Sequence, residues 1–181
     1  MVFTEKQLSR EIKYKGKIVT VCLDEVELIN GKKTLREECL HPGGVAILPL
    51  LDNGEVICVR QHRYAYNADL IEIPAGKLEA GEDPLECGIR ELSEETGYTA
   101  SEIIPLGCAY PSPGYVNEKL YLYLARGLKE GDSHPDEGEL LEMFTMPFEE
   151  LLRRVMADEI HDAKTVIATL KTKIILDGER K

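Results

Sequence analysis

The chain has 181 residues, a net charge of −11 and 43% hydrophobic residues, enough for one cored domain with a small addition. No apolar run approaches the ~20 residues of a membrane-spanning helix, and the N-terminal segment lacks the apolar stretch of a secretory signal. The charge argues against a nucleic-acid partner, because no basic stripe is present to displace counterions from phosphates.

In chain order, Asn30-Gly31 predicts a hairpin joining a strand over 19–29 to one over 32–40. Apolar Val19, Val21 and Leu23 shift phase to Val26 and Leu28, which predicts a bulge near Asp24 and Glu25. His41-Pro42-Gly43-Gly44 reads as a joint, dividing the chain into an N-terminal β-sheet domain over 1–43 and a main domain over 44–181. Strand composition follows at 45–50, 55–63 and 69–76. It recurs at 102–107, 118–128 and 142–148. A helix is expected over 148–156. Another starts after an Asp162 N-cap, with Val166, Ile167, Leu170 and Ile174 on its apolar face. The result is α+β, helices packed on a mixed sheet.

The five cysteines (Cys22, Cys39, Cys58, Cys87 and Cys108) are odd in number and contain no CxxC pair. That pattern argues against disulfides and zinc and favours a reducing cytoplasm.

The segment GKLEAGEDPLECGIRELSEETGY, from Gly76 to Tyr98, holds the densest chemistry. Pro84 suits a first helical turn and Gly97 the position just past a helix end. Leu85, Ile89 and Leu92 recur at helical spacing and are expected to face the core. Glu91 and Glu95 stand four apart with Glu94 beside them. Like charges so spaced repel, so the helix asks for a partner, and a hard divalent cation that takes oxygen ligands is the natural one. Such an ion also reconciles an acidic protein with an anionic substrate.

These residues resemble the Nudix hydrolase signature, which runs Gly, five residues, Glu, seven residues, Arg-Glu-apolar-x-Glu-Glu-x-Gly-apolar. Here the pattern is filled by Gly76, Glu82, Arg90, Glu91, Leu92, Glu94, Glu95, Gly97 and Tyr98. Tyr98 is a soft departure from the usual aliphatic residue. With each residue type at roughly 7% abundance, seven fixed identities coincide by chance about once in 10⁸ starting points, so the match is specific. Further stretches resemble the ADP-ribose pyrophosphatase branch. They are Arg60 to Arg63, Glu72 to Gly76, Tyr110 to Glu118, Asp136 to Glu139 and Asp162 to Thr165.

The resemblance implies a Nudix fold, a mixed sheet sandwiched between helices, preceded by an N-terminal antiparallel hairpin. It implies hydrolysis of ADP-ribose to AMP and ribose 5-phosphate with Mg²⁺ or Mn²⁺, two or three ions per site. The Ala75 carbonyl, Glu91, Glu95 and Glu139 are the implied metal ligands, with Glu94 assisting. Glu137 is the implied base, with Glu139 as the alternative. Substrate contacts are expected from Arg36, Arg63, Lys77, Ser112, Pro113, Gly114 and Glu118. Gly76, Glu82, Arg90 and Gly97 are expected to be structural. The resemblance also implies a homodimer in which the hairpin lends Arg36 to the partner's pocket. Other readings are a hydrolase of nucleotide sugars, NADH or a nucleoside triphosphate, and a non-catalytic ADP-ribose-binding module. The intact Glu91, Glu94 and Glu95 weigh against the last.

Overall fold

The structure, a computed structural model, describes residues 3–131 and 140–179. The chain divides into two compact units, Met1–Gly43 with Tyr110–Lys119, and Gly44–Ala109 with Leu120–Lys181.

In the first unit β1 (Glu5–Lys15), β2 (Thr20–Leu28) and β3 (Lys33–Leu40) form an antiparallel sheet with β2 central. The Asn30-Gly31 turn closes the expected hairpin, Gly31 N–H donating to the Leu28 carbonyl at 2.8 Å. β1 adds a third strand. The expected bulge at Asp24 and Glu25 is absent. β2 and β3 pair without a slip from Thr20 to Glu27, and the irregularities lie on β1, between Gln7 and Ser9 and between Ile12 and Tyr14. Cys22, Asp24 and Val26 are buried in unbroken alternation. Asp24 occupies an apolar register because Arg10 donates to it from Nε and Nη2, at 2.8 and 2.6 Å, and Gln7 at 2.9 Å. A satisfied buried carboxylate therefore mimics a phase slip.

The same unit takes in the Tyr110–Lys119 loop. Cys39 N–H donates to the Tyr115 carbonyl at 2.7 Å, and His41 N–H to Asn117 Oδ1 at 2.8 Å. The loop is thus stitched to the end of β3.

The second unit contains β4 (Gly44–Pro49), β5 (Glu55–Arg63), β6 (Ala68–Glu72), β7 (Ala75–Lys77) and α1 (Pro84–Thr96). β8 (Tyr98–Ala109), β9 (Leu120–Glu130), β10 (Leu141–Pro147), α2 (Phe148–Met156) and α3 (Ala163–Glu179) follow. A mixed sheet runs β7-β4-β9-β8, with β4 parallel to β9, and an antiparallel sheet runs β10-β5-β6. All of β4 is buried, as a strand covered on both faces requires. Its alternation divides the core. Ala46 and Leu48 join Leu122, Leu124, Leu151 and Ala168 on the α2/α3 side, while Ile47 joins Leu92, Tyr123 and Ala125 on the α1 side.

Two helix faces differ from expectation. On α1, Leu92 is buried, but Leu85 and Ile89 are 40% and 46% exposed. Cys87, Gly88 and Thr96 turn inward instead. The cause is close approach at Gly88, whose missing Cβ would meet Val45 at 3.1 Å and Tyr123 at 3.6 Å. On α3, Leu170 and Ile174 are exposed and the buried stripe is Thr165, Ala168, Thr169 and Thr172. Small side chains let the helix lie close to the sheet, which apolar periodicity alone does not reveal.

Candidate active site

α1 is bounded by local chemistry. Asp83 caps its start, accepting from Leu85 N–H at 2.8 Å, with Pro84 in the first turn. Gly97 ends it with φ of 74°, a left-handed conformation that a side chain disfavours, and donates to the Ser93 carbonyl. Between these caps the helical repeat puts Glu91 and Glu95 on one side, next to β7. Glu95 is 7% exposed and its Oε2 accepts the Ala75 N–H at 3.1 Å. The Glu91 carboxylate lies against Gly76, where a Cβ would fall 1.8 Å from its carbon.

Two sheltered carboxylates thus meet the Ala75–Lys77 backbone, with a glycine cradle shaped around one of them. An all-oxygen donor set of this kind fits a hard divalent cation. Among the described residues no three His, Cys, Asp or Glu side chains form a ready-made metal cluster. Glu137 and Glu139, the other expected contributors, lie outside the described residues. Gly76→Ala is expected to displace Glu91 and lower turnover by up to about 10²-fold. A kcat measurement beside a thermal melt checks this, since a clash with a side chain at the site's edge should leave the fold in place.

Arg90 organises the acidic surroundings. Its Nε donates to Glu82 at 2.9 Å, and its Nη1 stands 2.8 Å from both Glu91 and Glu94. One guanidinium therefore offsets three carboxylates that would otherwise repel. Glu82 also accepts from Glu79 N–H at 2.9 Å, closing the loop that precedes α1. The Arg90 hydrogen bonds, with that backbone donor, hold the Glu82 carboxyl down to about 2, so it is ionised at neutral pH. Cys87 lies in the same corner, and burial together with nearby Glu82 pushes its thiol up to about 12. It packs as an apolar residue, not as a nucleophile.

Arg63, expected on substrate, directs its fork at buried Glu72. Nε and Nη2 each donate at 2.6 Å. Glu72 also takes the Lys164 ammonium, and Lys164 reaches Asp162 at 2.8 Å. Burial alone would raise the Glu72 carboxyl, but the Arg63 bonds and the Lys164 charge more than offset it and lower its pKa. Sequence reasoning did not single out Glu72, Lys164 and Thr165 as a cluster. The available signal was a carboxylate inside the apolar run Leu70, Ile71, Glu72, Ile73.

The remaining expected residues lie in the first unit, except Lys77 of the second. Arg36 forms a two-bond pair with Glu5, at 2.9 and 2.7 Å. The Ser112 carbonyl accepts from the N–H groups of Tyr115 and Val116, turning the chain around Pro113 and Gly114. Glu118 stands 3.4 Å from His41 Nδ1. Lys77 ends β7 and is exposed.

A mixed sheet packed between helices, with carboxylates gathered at a helix beside a glycine loop, offers the oxygen donors that metal-assisted hydrolysis needs. The NUDIX domain family profile matches residues 40–169, and the chain belongs to the Nudix hydrolases. It is 41% identical over 166 residues to an ADP-ribose pyrophosphatase of Bacillus subtilis (strain 168), covering 91% of this chain and 90% of the relative. It is 39% identical over 169 residues to a methanol dehydrogenase activator of Bacillus methanolicus, covering 92% and 91%. The fold matches a crystal structure of an ADP compounds hydrolase with a TM-score of 0.86, at 23% identity, over 97% of this chain and 96% of that one. Among the described residues no helix is long and apolar enough to cross a membrane.

Proposed function

We propose that this Nudix hydrolase cleaves the diphosphate bond of ADP-ribose to give AMP and ribose 5-phosphate. The observation that carries the chemistry is the pair Glu91 and Glu95 set against Gly76 and Ala75. The substrate is supported by the relative at 41% identity, an ADP-ribose pyrophosphatase. Glu91, Glu95 and the Ala75 carbonyl would hold Mg²⁺ or Mn²⁺, two or three ions in all, with Glu139 contributing. When bound, the metal supplies Lewis acidity that neutralises phosphate charge and makes a water acidic.

The chain's own groups do the rest. Glu95 fixes the Ala75 amide, and Arg90 holds Glu82, Glu91 and Glu94 in register. Glu137 takes a proton from the attacking water, with Glu139 the alternative base. The water oxygen bonds to phosphorus as the bridging P–O bond breaks. Lys77, Arg63, Arg36, Ser112, Pro113, Gly114 and Glu118 are the proposed substrate contacts. Arg63 does so with Nη1, since its other two nitrogens hold Glu72.

The similarity to a GDP-mannose pyrophosphatase of Cronobacter sakazakii, 34% identical over 69% of this chain, favours a second reading, hydrolysis of another nucleoside diphosphate derivative such as a nucleotide sugar. Purified protein with Mg²⁺ and a panel of ADP-ribose, nucleotide sugars, NADH and nucleoside triphosphates separates the two. Release of AMP and ribose 5-phosphate at the highest kcat/KM from ADP-ribose supports the first, and preference for any other member sinks it.

We also propose a homodimer, the commonest closed assembly of soluble chains. Its support is the exposed apolar side chains on one face of the N-terminal sheet, Tyr14 and Leu35. Sedimentation near twice the 20.3 kDa chain mass is expected at micromolar concentration.

A further inference from the structure

Residues 72–75 are held one by one. Glu72 is bound by Arg63 and Lys164. Ile73, fully buried and just past the end of β6, donates its N–H to Thr165 Oγ1 at 2.9 Å. The Pro74 carbonyl accepts from Ile47 N–H on β4 at 2.9 Å, and Ala75 N–H donates to Glu95 at 3.1 Å. The Thr165 hydroxyl is itself oriented, donating to Asp162 Oδ2 at 2.6 Å, which leaves its lone pair for Ile73. The first turn of α3 therefore grips the segment twice, by the Lys164 charge at Glu72 and by the Thr165 hydroxyl at Ile73.

From this arrangement we propose that Thr165 is a positioning residue. Its hydroxyl sets the path of Ile73–Ala75 and, through it, the placement of Ala75 against Glu95. The proposal rests on the reading that Ala75 and Glu95 belong to the metal-binding site. Past Ile73 the chain has little slack, because Pro74 fixes its own φ and is tied to β4. Without the hydroxyl, a buried N–H loses its acceptor, and a shift that restores a partner moves Ala75. Partners that orient metal ligands from behind typically contribute ~10–100-fold to metal affinity or activity.

Three proteins test this: wild type, Thr165→Val, which keeps the shape and removes the hydroxyl, and Thr165→Ser, which restores it. Mn²⁺ affinity is read by calorimetry without substrate, hydrogen exchange of the Ala75 amide by NMR, and global stability by thermal melting. The valine variant is expected to bind Mn²⁺ ~10–100-fold more weakly and to exchange the Ala75 amide faster than its global stability accounts for. The serine variant should recover both. A folded valine variant with wild-type Mn²⁺ affinity and Ala75 exchange, changed only in melting temperature, would reduce Thr165 to a packing residue and overturn the proposal. If the valine variant does not fold, Thr165→Cys, whose thiol is a weak acceptor, should show the same changes in smaller degree. If wild type binds no Mn²⁺, the metal-site reading fails separately, and Ala75 exchange still decides the positioning role.

Discussion

Glu95→Gln is expected to lower kcat by more than 10²-fold at saturating Mg²⁺ while leaving the fold intact. The two halves of that expectation have different causes. Glutamine is nearly isosteric, and its amide oxygen can still accept the Ala75 N–H that Glu95 holds at 3.1 Å. The half-buried backbone donor stays paired, so the cost of an unsatisfied group does not arise. What is lost is the negative charge of a side chain only 7% exposed. A neutral amide is a far poorer ligand for a hard cation than a carboxylate. Replacing a ligand itself should exceed the ~10–100-fold typical of changes behind the ligands. Steady-state kinetics across a Mg²⁺ titration, beside a thermal melt, read both halves. Near-full turnover would remove Glu95 from the site.

Glu137→Gln and Glu139→Gln, made separately, should identify the base. A general base contributes ~10²–10⁴-fold to rate. Its loss lowers kcat at every metal concentration and leaves the metal requirement little changed. Loss of a ligand instead raises the metal concentration needed for half-maximal rate. Glu137 is expected to behave in the first way and Glu139 in the second. The reverse assignment would exchange their roles. Two unimpaired variants would dismiss the acidic loop and send the search for a base to Glu94, Glu118 or Glu82.

The sequence by itself determined the family and the local chemistry of α1. Its Pro84 start, its Gly97 end and its acidic side follow from short-range spacing, because helix geometry converts a count of residues into a direction. The β2–β3 hairpin and the strand at 45–50 were legible for the same reason, one from its turn residues and one from an unbroken apolar run. Only the tertiary structure decided which apolar side chains are buried. Leu85, Ile89, Leu170 and Ile174 fit a helical period yet face outward, because Gly88 and the threonines of α3 allow closer packing than larger side chains would. Tertiary structure also decided where polar groups turn inward. Asp24 holds an apolar register through Arg10, and Glu72, Lys164 and Thr165 converge from positions 92 and 93 residues apart in sequence. No local pattern encodes such pairs. A buried polar group is tolerated only when a partner arrives from elsewhere in the chain, and that arrival is a property of the fold.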